Sequence, residues 1–200
     1  VELAHSRLPE DRRRLLDGVL TLCRTQPDIC ASPVLGDIFM TLARQAERDI
    51  RITLSQALAD ADWAPPALIH ILALDDIEIA RPVIAASPLL ADADLLRILV
   101  EATLEHQIEV ARRPRLSPVV ADAIIDQAEP APLTALAGNT SARLNDEAMR
   151  RLVEHSRRIA GLRSPLSRHP RLTEALAAQL YEWVGQALRE AINDRFKIED

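Results

Sequence analysis

Six arginines, Arg150, Arg151, Arg157, Arg158, Arg163 and Arg168, fall within 19 residues of a 200-residue chain. A guanidinium is planar, permanently charged and carries its N–H donors in a fork that matches carboxylate and phosphate oxygens in pairs. Such a cluster suits the docking of an acidic or phosphorylated protein partner rather than the making of bonds. A solvated helix face would look the same in a chain where Arg outnumbers Lys 23 to 1. These six side chains are the candidate partner-binding residues.

Other chemistry is poorly served. A phosphate-cradling loop needs closely spaced glycines, and Gly18, Gly36, Gly138, Gly161 and Gly185 stand far apart. No GxSxG, HExxH or CxxC occurs. Cys23 and Cys30 are the only cysteines, too few for a disulfide framework or a zinc site, and Cys23 continues the apolar face of Leu16, Val19 and Leu20. Calcium loops place ligands on alternate residues around a Gly turn, an order that the acids from Asp60 to Asp94 lack. Those acids read instead as helix starts and a wet face.

Among the histidines, His169 occupies a turn position, which suggests capping rather than metal binding. His106 and His155 are expected near helix C-termini, where the dipole favours a cation. No catalytic residue, cofactor or metal is expected.

Charge narrows the partners. The formal net charge is −6, which disfavours non-specific binding to nucleic-acid phosphates. The charge is uneven: residues 31–138 carry 16 acids against 8 arginines, while 139–171 carry 8 arginines against Asp146, Glu147 and Glu154. No apolar run approaches the ~18–20 residues that cross a bilayer. The expectation is a cytoplasmic protein, with no membrane partner. Asn139-Thr140-Ser141 fits a glycosylation sequon, but nothing else suggests secretion.

The elements that must position these residues are helices. Apolar residues make up 48% of the chain and aromatics only 2%, so the core is built from Leu, Ile, Val and Ala, and helix formers dominate. The pentapeptide Leu-Ala-Asp-Ala-Asp occurs twice, at 58–62 and 90–94, but its surroundings do not align. Leu58 closes an amphipathic pattern, whereas Asp92 opens one as the expected N-cap. The copies are therefore not a repeat unit.

A different period does repeat. Leu58, Ile84, Val110 and Leu136 follow at 26 residues, and Leu166 after 30. Turns at Ser87-Pro88, Arg113-Pro114, Asn139-Thr140 and His169-Pro170 follow the last four, each closed by an apolar residue: Leu90, Leu116, Leu144, Leu172. Ser117, Asn145 and Thr173 then supply N-cap oxygens, and a second apolar column runs through Leu72, Ile98, Ile124, Leu152 and Leu180. Two apolar columns separated by a capped turn describe a helix–turn–helix unit that must stack to bury its core. Helices are also expected at 9–25 and 33–46, with one long helix after 173.

The run Asp75-Asp76-Ile77-Glu78-Ile79-Ala80-Arg81-Pro82-Val83, with Ser87-Pro88-Leu89-Leu90, Ile108-Glu109-Val110-Ala111-Arg112-Arg113-Pro114 and Leu144-Asn145-Asp146-Glu147, resembles the bacterial domain of unknown function 2336 family. The resemblance covers about residues 30–190, and the Asp75–Pro88 stretch is its most specific part. It implies a helical solenoid related in kind to HEAT-like and leucine-rich-variant repeats and, in many members, further sequence beyond the last residue here. It implies no activity and no catalytic residue.

The expected fold is all-α: a right-handed α-solenoid of HEAT-like helix–turn–helix repeats with a period of about 26 residues. Its expected parts are N-terminal helices at 1–46, repeats at 47–172 and a capping helix at 173–200. The expected function is a non-enzymatic protein–protein interaction scaffold or adaptor. The alternatives are a nucleic-acid-binding solenoid using the basic 139–171 surface, or a HEAT-like enzyme with a pocket of converging polar groups.

Overall fold

A computed structural model describes residues 8–25 and 32–196, which form thirteen α-helices, one 3-10 turn and no strand. The helices are α1 (Pro9–Thr25), α2 (Pro33–Gln45), α3 (Arg48–Leu58), α4 (Pro66–Ala73), α5 (Ile77–Ala86), α6 (Asp92–Glu101) and α7 (Leu104–Arg112). They continue as α8 (Pro118–Gln127), α9 (Pro130–Gly138), α10 (Asp146–Ser156), α11 (Arg163–Arg168), α12 (Glu174–Tyr181) and α13 (Gln186–Phe196). The 3-10 turn spans Ala160–Leu162. The chain divides into two compact units, residues 1–98 and 99–200. Cys30 lies outside the described residues.

Local chemistry sets the helix starts. Proline, which has no N–H to leave unsatisfied, opens α1, α2, α4, α8 and α9. The three expected side-chain caps form: Ser117 accepts from the Val120 N–H, Asn145 from Ala148 and Thr173 from Leu176. The fourth is corrected. Asp92 is the first residue of α6, and it is Asp94 whose Oδ2 reaches back to the Ala91 N–H, at 2.9 Å. Both acids sit in the first turn, and only the third helical residue has the geometry to reach back to the capping N–H.

Within residues 1–98, α2 packs on α4 and α3 on α5, while α1 lies against α2 and α3. Phe39, Leu54, Leu58, Leu68, Leu72 and Ile84 are completely buried there. Cys23 is a buried thiol. Arginines tie alternate helices together by reaching acids at the start of the helix after next. Arg12 and Arg13 of α1 meet Glu47 and Asp49. Arg48 and Arg51 of α3 meet Glu78, Asp76 and Asp75. Each acid also lies where the N-terminal dipole favours it.

Within residues 99–200 the helices pack as two rows. One row runs α7, α9, α11, α13 and the other α8, α10, α12, each helix against the next in its row. Every member of both apolar columns in the described chain, from Leu58 to Leu166 and from Leu72 to Leu180, is at most 2% exposed. The turn-closing residues Leu90, Leu116, Leu144 and Leu172 are buried as well. At 25 cal/mol per Å² of apolar surface, full burial of each such side chain is worth ~1.5–3 kcal/mol.

Two further expectations are corrected. The segment after Thr173 is two helices, because the chain turns at Glu182–Gly185 and the Gly185 carbonyl accepts the first N–H groups of α13. Glycine gains least from continuing a helix, and the Arg189 side chain takes the Val184 and Glu182 carbonyls that the break exposes. His106 lies near the start of α7, not at a C-terminus. It is buried, with its Nδ1 2.8 Å from the hydroxyl of the N-cap residue Thr103.

Candidate functional site

The six arginines of 150–168 are distributed over α10, the turn that follows it and α11. They are not equivalent. Arg150 pairs with Glu147 one turn back on α10, and Arg151 reaches Asp126 on α8 at 2.5 Å. Arg163 bonds the carbonyls of Ser156 and Arg157, at 2.9 and 3.1 Å, and so caps the end of α10. Arg168 donates to the Ser164 hydroxyl at 2.6 Å. Arg157 and Arg158 are exposed, and no hydrogen bond or ion pair holds their side chains among the described residues. Surface ion pairs are worth only ~0–1 kcal/mol, so those at Arg150 and Arg151 reduce the field of the cluster without locking it.

Beside this cluster an open trough of about 840 Å³ runs along α9. Its floor is Pro130, Ala131, Thr134, Ala135 and Gly138, all small residues on one face. Ile108 and Arg112 of α7 form one wall, and Ile159 and Gly161 form part of the other. A smaller hollow of about 300 Å³ shares Gly138 and Thr140 and adds Ser164, Pro165 and Arg168 of α11. No carboxylate lines either space. Gly161 approaches α9 closely: a Cβ there would lie 3.1 Å from the Thr134 hydroxyl oxygen, and that side chain would have to shift to admit it. Gly138 is under no such constraint, since an added Cβ meets nothing closer than Pro165 at 4.0 Å.

The turn residues hold this region in place. Asn139, nearly buried, donates through Nδ2 to the carbonyls of Ala111 and Arg113, at 2.9 and 2.8 Å. Those carbonyls end α7 and have no partner within the helix. Arg195 repeats the arrangement, donating to Ser167 and His169 carbonyls at 2.9 and 3.0 Å. In the folded chain the Asn139 amide is thus committed to backbone carbonyls.

His169 is completely buried, and its Nδ1 accepts the Arg171 N–H at 3.2 Å, the turn-capping role expected of it. Its pKa is lowered, first by burial and then by the Arg171 and Arg195 charges, against the opposing pull of the Asn139 backbone.

A second polar grouping lies in residues 1–98, where His70 Nε2 stands 3.2 Å from Asp94 Oδ1. The recess around it holds only about 20 Å³, with Ala73, Leu74, Leu90, Arg97 and Ile98 as its other walls. A carboxylate can orient an imidazole as a base, but no Ser, Thr or Cys lines this recess to be activated. Among the described residues no group of three or more His, Cys, Asp or Glu side chains is placed to hold a metal ion, and no helix is long and apolar enough to cross a membrane.

Sequence reasoning found the arginines and missed the trough. Two signals pointed to it. The stretch Pro130–Gly138 contains no ionisable residue, in a chain that is 27% charged. Arg112, Gly138 and Arg168 also follow one another at 26 and 30 residues, with glycine between the two cations.

No curated protein and no solved structure matches the chain. The family model described as an uncharacterised protein conserved in bacteria (DUF2336) matches residues 79–200, more than half of the chain. The chain belongs to the DUF2336 family.

Proposed function

We propose that this chain is a non-enzymatic protein-interaction module, a right-handed HEAT-like α-solenoid with a period of about 26 residues that docks an acidic or phosphorylated protein partner on its 139–171 face. The burial of both apolar columns and the packing of alternate helices support the stacked architecture. So do side-chain ties such as Asn139 to Arg113 and Arg195 to His169, each spanning 26 residues.

The observation that carries the docking role is the state of Arg157 and Arg158. Two exposed guanidiniums, without partners among the described residues, stand beside a trough whose floor is uncharged, in a chain whose other segments are acidic or balanced. Rim cations of this kind steer acidic partners and make association salt-dependent.

The test is affinity capture from a bacterial lysate treated with nuclease, comparing wild type with Arg157→Glu/Arg158→Glu. The module reading expects a defined set of proteins in the wild-type eluate and their loss from the variant, with the melting temperature unchanged. Recovery of the same proteins at the same yield from the variant would remove the arginine face from the account. Recovery of nucleic acid alone, when nuclease is omitted, would favour a nucleic-acid-binding solenoid.

A further inference from the structure

We propose that the trough over α9 is the docking groove for an extended acidic peptide segment, clamped at one end by Arg112 and Arg168 on either side of Gly138. This deepens the interaction-module reading and rests on it: the arginine face supplies attraction, and the trough supplies the seat.

Shape comes first. The exposed face of α9 from Pro130 to Gly138 covers eight residue intervals, about 12 Å of helix. At ~3.3 Å per residue, that length seats about four residues of extended chain. The 840 Å³ volume lies within the range of ~300–1,000 Å³ typical of binding clefts. An exposed helix face ordinarily carries long polar side chains, whereas this one carries Ala131, Thr134, Ala135 and Gly138.

Charge selects the occupant. Arg112 and Arg168 end α7 and α11, the helices that flank α9, and each lines the space adjoining Gly138 and Thr140. Arg112 gives one Nη to Glu109 at 3.1 Å, and Arg168 gives one to Ser164. Each guanidinium has five N–H donors, so most remain for a ligand. No carboxylate is among the lining residues of either space, and Glu109 is the acid that a ligand at Arg112 must compete with. A side chain larger than glycine at 138 would stand between the two cations. The groove therefore fits a segment with carboxylates at the clamp and small side chains over Ala131 and Ala135.

A fluorescein-labelled octapeptide of alternating glutamate and alanine, with its lysine counterpart as control, tests this by fluorescence anisotropy. Wild type is expected to bind the acidic peptide saturably below about 1 mM at low salt and to ignore the basic one. Arg112→Glu/Arg168→Glu should weaken binding about tenfold or more, and Gly138→Trp should do the same by filling the seat. Arg44→Glu, at an exposed residue of α2 outside the 139–171 face and outside both linings, should bind as wild type does. Circular dichroism confirms that each variant is folded, and Ala131→Trp on the exposed floor replaces Gly138→Trp if the latter unfolds.

Binding that survives all the groove variants but is lost with Arg157→Glu/Arg158→Glu would overturn the groove and keep the interaction module. No saturable binding by wild type would overturn the groove and the acidic-partner reading together. Displacement of the peptide by a single-stranded oligonucleotide of equal charge, at lower concentration than the peptide itself, would overturn the peptide as occupant.

Discussion

The His169 imidazole is buried and accepts a backbone N–H at Nδ1, two features that favour its neutral form. Its Nδ1 faces the Arg171 N–H, so protonation there would set two donors against each other in a site with no exposed surface. Burial and the charges of Arg171 and Arg195 lower its pKa from the ordinary value of 6.5. The unfolded chain, near 6.5, then binds more protons than the folded one as pH falls below that value. Stability contributed by the neutral ring is fully present above about pH 6.5 and is lost as pH falls through the folded pKa. Urea midpoints at about pH 7.5 and 5.5 should therefore separate more in wild type than in His169→Asn, which installs the residue found at the preceding turn. Equal separations would show that His169 is not the titrating group. Its turn role was legible from position alone. The role of Asn139 was not, because the carbonyls it serves lie 26 and 28 residues back in the chain.

At the scale of the element, the caps were legible because their chemistry is local. Ser117, Asn145 and Thr173 each bond an N–H three residues ahead, and sequence shows both partners. Local reading failed where two residues of the same type competed for one role. Asp92 and Asp94 both open α6, yet only Asp94 accepts the Ala91 N–H. Asp94→Ala should accordingly cost about 0.5–2 kcal/mol, and Asp92→Ala only the dipole contribution of ~0.3–1 kcal/mol. Paired thermal melts decide it; a larger loss at Asp92 would restore that residue as the cap. The end of α8 carries no local signal: Ala128 adopts a left-handed φ of 55°, a position where glycine is the usual residue. The break at Glu182–Gly185 was hidden for the opposite reason: Leu180, Val184 and Leu188 keep helical spacing straight across it.

At the scale of the molecule, the helical class followed from composition, and the burial of Leu58, Ile84, Val110, Leu136 and Leu166 followed from their apolar spacing. The trough could not be read in this way. It is made by side chains that are missing from one helix and by arginines contributed from its two neighbours, which only packing brings together. The proposed docking joins the two: the arginines of 139–171 would draw in an acidic segment and the uncharged floor of α9 would seat it. Titration of the alternating glutamate–alanine octapeptide into ¹⁵N-labelled protein, followed by amide chemical shifts, tests it most directly. Docking in the groove should give saturable shifts concentrated at 108–112, 130–140 and 157–168, shrinking as salt rises. Shifts confined to other parts of the chain, or none at all, would contradict it.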